Sequence, residues 1–153
     1  MGAISIWHWL IILLVILVPA AAALLVFAIK PNGPNRFGDV PAPVGFGEAV
    51  GVCFRKFADF NGRAARSEFW WFYLAAVLIN IAAIILNRMV PFGLGLILPL
   101  VLLIPTWAAG ARRLHDINRS GWWQLLGLTF WGGIMLFVLF VQPSQSNDQA
   151  NVF

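Results

Sequence analysis

Phe69–Leu86 reads FWWFYLAAVLINIAAIIL, a run with no charged residue and a single amide, Asn80. A helix of roughly 17–25 apolar residues crosses a hydrocarbon core about 30 Å thick, so this stretch predicts a transmembrane helix. Its edges carry the matching chemistry. Trp70 and Trp71 open it at the depth where tryptophan prefers the membrane–water boundary, and Asn87-Arg88 close it. Working outward, three more stretches meet the same test: Ile6–Ile29, Pro91–Ala109 and Trp122–Val141. Trp7 and Trp9 open the first and Lys30-Pro31 close it. Pro91 suits a first helical turn, where its missing N–H costs nothing, and Arg112-Arg113 follow the end of that helix. Ser120 is the expected N-cap of the last stretch and Gln142-Pro143 its stop.

The composition agrees. Of 153 residues, 61% are hydrophobic and 10% charged, with a mean hydropathy of +0.84. A soluble domain is about half apolar and a quarter charged, so a water-exposed globule is excluded. The lone Cys53 excludes an intrachain disulfide framework and a thiolate metal cluster. The pI near 10.2 comes from basic residues dispersed among apolar helices, which points to membrane-surface charge and away from nucleic acid.

Between the first two stretches, residues 31–45 collect Pro, Gly and Asn and predict an irregular linker. Phe46, Val50, Cys53, Phe54 and Phe57 then recur at helical spacing, with Glu48, Arg55 and Lys56 off that face. This predicts a short amphipathic helix lying along the cytoplasmic interface. The expected fold is an all-α integral membrane protein with four transmembrane helices plus that interfacial helix. Residues 1–30 form an amino-terminal anchor and 46–153 a three-helix membrane domain. Ala20–Ala23 offer a signal-peptidase site, but no Lys or Arg precedes Trp7 and the apolar run continues through Phe27, so an uncleaved anchor is expected.

Orientation follows from the basic residues. Four spans place nine of the ten on one side, leaving only Arg88 on the other. The positive-inside rule makes those two loops cytoplasmic and sets both termini in the periplasm.

Two charged, aromatic-flanked motifs share that cytoplasmic side: Phe60–Trp71, FNGRAARSEFWW, and Ala111–Trp123, ARRLHDINRSGWW. Together they resemble the two hallmark stretches of the bacterial inner-membrane family catalogued as domain of unknown function 805, over residues 46–153. The resemblance implies an integral membrane protein of the inner membrane and assigns no activity. Members usually continue through a Gly after a residue like Phe153, which implies a few further residues here. The opening MGAISIWHWLIILLVILV also resembles the amino-terminal anchor of small twin-arginine translocase subunits, without their Phe-Gly hinge.

No HExxH, GxSxG, P-loop or CxxC pattern is present, so no catalytic, cofactor or metal residues are expected and the chain reads as a non-enzyme. The two motifs hold five Arg and no Lys. Guanidinium forks grip carboxylate and phosphate bidentately, whereas ammonium acts as a point charge. Arg63, Arg66, Arg113 and Arg119 are therefore expected to bind anionic lipid headgroups. Glu68, Arg112, His115 and Asp116 are expected to form one structural ion-pair network. The functional expectation is an accessory or scaffold component, alone or as a homo-oligomer or part of a larger membrane complex; the alternative is a subunit of an oligomeric small-solute channel or transporter.

Overall fold

The computed structural model describes residues 33–89 and 93–146. The first expected span, Pro91 and the tail beyond residue 146 lie outside them. Among the described residues the regular secondary structure is helical, apart from one isolated β-bridge between Asn35 and Gly38, and the connecting segments are irregular. Helix α1 covers Phe46–Arg55, α2 Arg66–Met89 and α3 Leu94–Asp116; a 3-10 segment covers Gly121–Leu128 and α4 covers Phe130–Val141.

Helices α2 and α3 are 24 and 23 residues long. At about 1.5 Å per residue each reaches roughly 35 Å, enough to cross a bilayer. They are the two described helices long and apolar enough to do so. The pair packs closely because the buried positions are small: Ala75, Ala76 and Ala83 on α2, Ala108, Ala109 and Ala111 on α3. The faces turned away carry Leu78, Ile81, Ile85, Leu96 and Leu100, all exposed and apolar, which suits contact with lipid.

Both helices exceed their apolar runs. The third span was expected to end at Ala109, yet α3 continues through the whole Arg112–Asp116 stretch, so the second basic motif is helical before it is loop. A left-handed residue stops it. Asn118 has φ 58°, and the Asn118 and Arg119 amides donate back to the His115 and Leu114 carbonyls (3.0 and 2.9 Å). This is the Schellman arrangement, which Asn accommodates better than most residues other than Gly.

Helix α1 lies against α2. Ala49 and Cys53 are buried, Cys53 packs with Phe69 and Phe72, and the Phe46 and Phe54 rings meet Trp71 and Phe72 edge-on. Within the spans, Asn80 donates to Ala76 O of its own helix (2.9 Å) rather than to a neighbour. Thr106 donates to Leu102 O (2.6 Å), one residue beyond the carbonyl that Pro105 leaves without its usual N–H.

The fourth expected span is broken. Thr129 takes extended backbone (φ −113°, ψ 149°) and caps α4 by accepting from the Gly132 amide (3.1 Å). A Cβ on Gly132 would lie 2.1 Å from Leu126 O, so the chain doubles back where only glycine fits. Gly127 sits beside Leu136, a neighbour that a continuous helix would hold some 13 Å away. The 3-10 segment and the twelve-residue α4 are thus the two limbs of a hairpin. Both ends of the hairpin meet the same end of α3: Gly121 lies against Ala111, while Phe140 O accepts from Arg113 and Gln145 N donates to Asp116 O. This corrects the four-span expectation and, with it, the expected position of the tail. Residues 142–146 sit at the Arg-rich end of the bundle, not at the opposite one. The linker is pinned there too, since the Asn35 amide donates to the His115 and Gln145 carbonyls (2.9 and 3.1 Å).

Candidate functional site

Every described element other than the α2–α3 turn and the hairpin tip converges on the end of α3. Two carboxylates organise that end, each in its own cluster. Asp116 is fully buried. Its Oδ1 accepts from Arg63 Nε and Nη2 (2.9 and 2.8 Å), while Oδ2 accepts from Ser144 Oγ (2.6 Å) and from Arg113. The same arginines then satisfy backbone oxygens. Arg63 donates to Gly38 O (2.9 Å), and Arg113 to Phe140 O (3.0 Å) and Gln142 O. One aspartate therefore ties together the linker, the segment before α2, the end of α3 and the end of α4.

Glu68 begins the second cluster. Its Oε1 accepts from Arg112 Nη2 (3.0 Å), and Arg112 Nη1 donates to Asp59 O and Lys56 O (2.6 and 3.3 Å), just past the end of α1. Helix C-termini carry partial negative charge, so Arg112 and Arg113 each stabilise the end of a different helix. Cys53 Sγ lies between Glu68 Oε1 and Arg112 Nη2 (3.9 and 3.7 Å). Burial, reinforced by the Glu68 carboxylate, pushes this thiol up to about 12, so at neutral pH it is a protonated core group and not a nucleophile.

Arg63 and Arg113, expected to face headgroups, are turned inward with their side chains 1% and 0% exposed. The reason is proximity: a fully buried carboxylate lies within hydrogen-bond reach of both, and leaving it unpaired would cost several kcal/mol. Arg66 is partly exposed. Arg119 alone of the four is exposed, its guanidinium 5.2 Å above the Trp123 ring. The single network expected of Glu68, Arg112, His115 and Asp116 is divided: Glu68 contacts Arg112, Asp116 contacts Arg63 and Arg113, and His115 joins neither. His115 stacks on Phe37 (4.0 Å between centroids) and its Nδ1 donates to Gly62 O (3.0 Å). Asn35, Cys53 and Ser144 belong to these clusters and carry no signal in the sequence beyond being polar or small beside a helix end.

Among the described residues no group of His, Cys, Asp and Glu converges as a metal site. The arrangement locks five chain segments together at one end of the bundle and leaves Arg55, Lys56 and Arg119 on its outside.

A family profile described as "Protein of unknown function (DUF805)" matches residues 57–151. The inner membrane protein YhaH of Escherichia coli strain K12 is 33% identical over 93 residues, covering 56% of this chain and 77% of that protein. The inner membrane protein YhaI of the same strain is 37% identical over 99 residues, covering 61% and 83%. The uncharacterized protein YiiR is 34% identical over 78 residues, covering 48% and 51%. No solved structure matches the chain.

Proposed function

This chain belongs to the DUF805 family, and from that premise we propose that it is a non-enzymatic accessory or scaffold component of the bacterial inner membrane whose basic rim holds anionic lipid headgroups. The single observation that carries this reading is the division of the cations. Arg63, Arg112 and Arg113 are consumed by buried carboxylates and carbonyls, whereas Arg55, Lys56 and Arg119 stay exposed at the same end, Arg119 above the Trp123 ring. The first three make the end rigid, and the last three are available to a ligand outside. The excess of basic residues at this end makes it cytoplasmic by the positive-inside rule, and the tail at 142–146 then shares that side.

Each exposed basic residue contributes about 1 kcal/mol of attraction to an anionic surface, about fivefold in retention. Native mass spectrometry of the full chain, purified from mixed lipid, is expected to show phosphatidylglycerol retained over phosphatidylcholine. Arg55→Gln, Lys56→Gln and Arg119→Gln together are expected to abolish that preference. A triple variant that keeps it would sink the basic rim. Co-purification of a stoichiometric membrane partner would support the scaffold role.

A further inference from the structure

We propose that the cleft between α3 and the 3-10 limb of the hairpin seats one anionic glycerophospholipid whose headgroup bears a hydroxyl. The inference rests on the membrane-edge placement above and deepens the headgroup reading from a diffuse rim to a defined pocket.

The cleft encloses about 480 Å³, inside the range of small-molecule sites. Trp107, Ala111 and His115 form one wall, at i, i+4 and i+8 on a single face of α3, a rise of about 12 Å. Trp122 and Leu125 face them from the 3-10 segment, and Phe60 closes the side. The segment approaches so closely that a Cβ on Gly110 would meet Gln124 Oε1 at 2.4 Å. Gln124 Nε2 donates to Trp107 O (3.1 Å) and fixes the second wall to the first.

Four polar side chains line the cleft, His115, Asn61, Ser120 and Gln124. Because a carbonyl only accepts, the bond to Gly62 O places the ring proton on Nδ1 and leaves Nε2 as an acceptor. Nε2 would lie 3.5 Å from a Cβ on Gly121, which lines the cleft. An acceptor lining an aromatic cleft favours a ligand that brings its own O–H. The cleft continues past Trp122, which is 78% exposed, into a shallower and mostly apolar groove that shares Ser120, Trp122 and Leu125 with it. That groove runs on to Leu126 and Thr129, towards the hairpin tip, where Leu128, Phe130 and Trp131 are exposed. An acyl chain fits such a path and a water-soluble metabolite does not. Trp123 borders the same groove and carries the Arg119 guanidinium above its ring, a cation placed for the phosphate.

The test compares two lipids of equal charge that differ in the headgroup hydroxyl: phosphatidylglycerol and phosphatidylmethanol, with phosphatidylcholine as the neutral reference. Retention on the full chain is read by native mass spectrometry. Phosphatidylglycerol is expected to exceed phosphatidylmethanol about tenfold, the worth of one net hydrogen bond. His115→Phe keeps a ring against Phe37 but has no Nε2, and is expected to erase that difference. Trp122→Ala removes an exposed wall without touching the core and is expected to lower retention of both anionic lipids. Equal retention of the two by the wild-type chain overturns the cleft while leaving the basic rim standing. Indifference to charge as well brings down both readings. Unchanged retention in Trp122→Ala, or displacement of the lipid by soluble glycerol phosphate, also overturns the lipid as occupant.

Discussion

Asp116→Asn is the sharpest perturbation of this fold. The substitution preserves shape and removes one charge from a site where the carboxylate, Arg63 and Arg113 are 0%, 1% and 0% exposed. Asparagine keeps one acceptor oxygen, and its amide nitrogen must point at a guanidinium or at Ser144 Oγ. Removing one member of a buried ion pair costs about 3–5 kcal/mol, because the partner charge stays buried and uncompensated. Here two cations lose one counter-ion, while the Gly38, Phe140 and Gln142 carbonyls still accept from them. The expected cost therefore lies within that range, about 4 kcal/mol. Domains are stable by about 5–15 kcal/mol, so the loss removes a large share of the whole. Unfolding of the purified chain by SDS in mixed micelles, followed by far-ultraviolet circular dichroism, measures it. Asp59→Asn is the control: the Asp59 carboxylate accepts only an exposed bond from Asn61 N, and its change is expected to stay within about 0.5 kcal/mol. Because Asp116 holds Ser144 and Gln145, the variant is also expected to become cleavable by protease near residue 144. An Asp116→Asn protein within about 1 kcal/mol of wild type would refute the ionic core as the element that binds these segments.

Other consequences are open to measurement. Glu68→Gln is expected to cost about 3 kcal/mol and the exposed Glu48→Gln almost nothing; equal effects would remove the Glu68–Arg112 pair from the stability argument. Cys53 is expected to resist alkylation in the folded chain as pH rises through 9, since its thiol titrates near 12 rather than at 9.0. The sign for stability follows: the contribution is full below pH 9 and is lost between pH 9 and about 12, so unfolding midpoints that rise across that window would contradict it. Asn118→Val is expected to destabilise by about 1–2 kcal/mol and Asn118→Gly to be neutral, because φ 58° penalises a β-branched residue; indifference to Val would rule out the left-handed stop. Reporters placed near Pro41 and after Ser146 are expected to report the same side of the membrane; opposite sides would restore a continuous fourth span.

The solvent of this protein is written in its sequence. Long uncharged runs with Trp at their edges can be satisfied only by lipid, and the two that became α2 and α3 are helices because a bilayer leaves the backbone no other partner for its N–H and C=O groups. The amphipathic spacing that located α1 is equally local. The last apolar stretch is different. Hydropathy reports that Trp122–Val141 avoids water, and it is silent on whether the chain crosses or turns back. That depends on Thr129 capping a new helix and on Gly132 passing within 2.1 Å of Leu126 O for any Cβ placed there, a steric fact between two limbs. The arginines divide in the same way. Their number follows from composition, and their gathering at the ends of the apolar runs from charge that avoids the bilayer core. Which of them turn inward follows from where a buried carboxylate ends up, and Arg63 and Asp116 stand 53 positions apart in the chain. Electrostatic pairing acts over a few ångströms in space, so only the packed helices could decide that Arg63 and Arg113 serve the core and Arg119 faces outward.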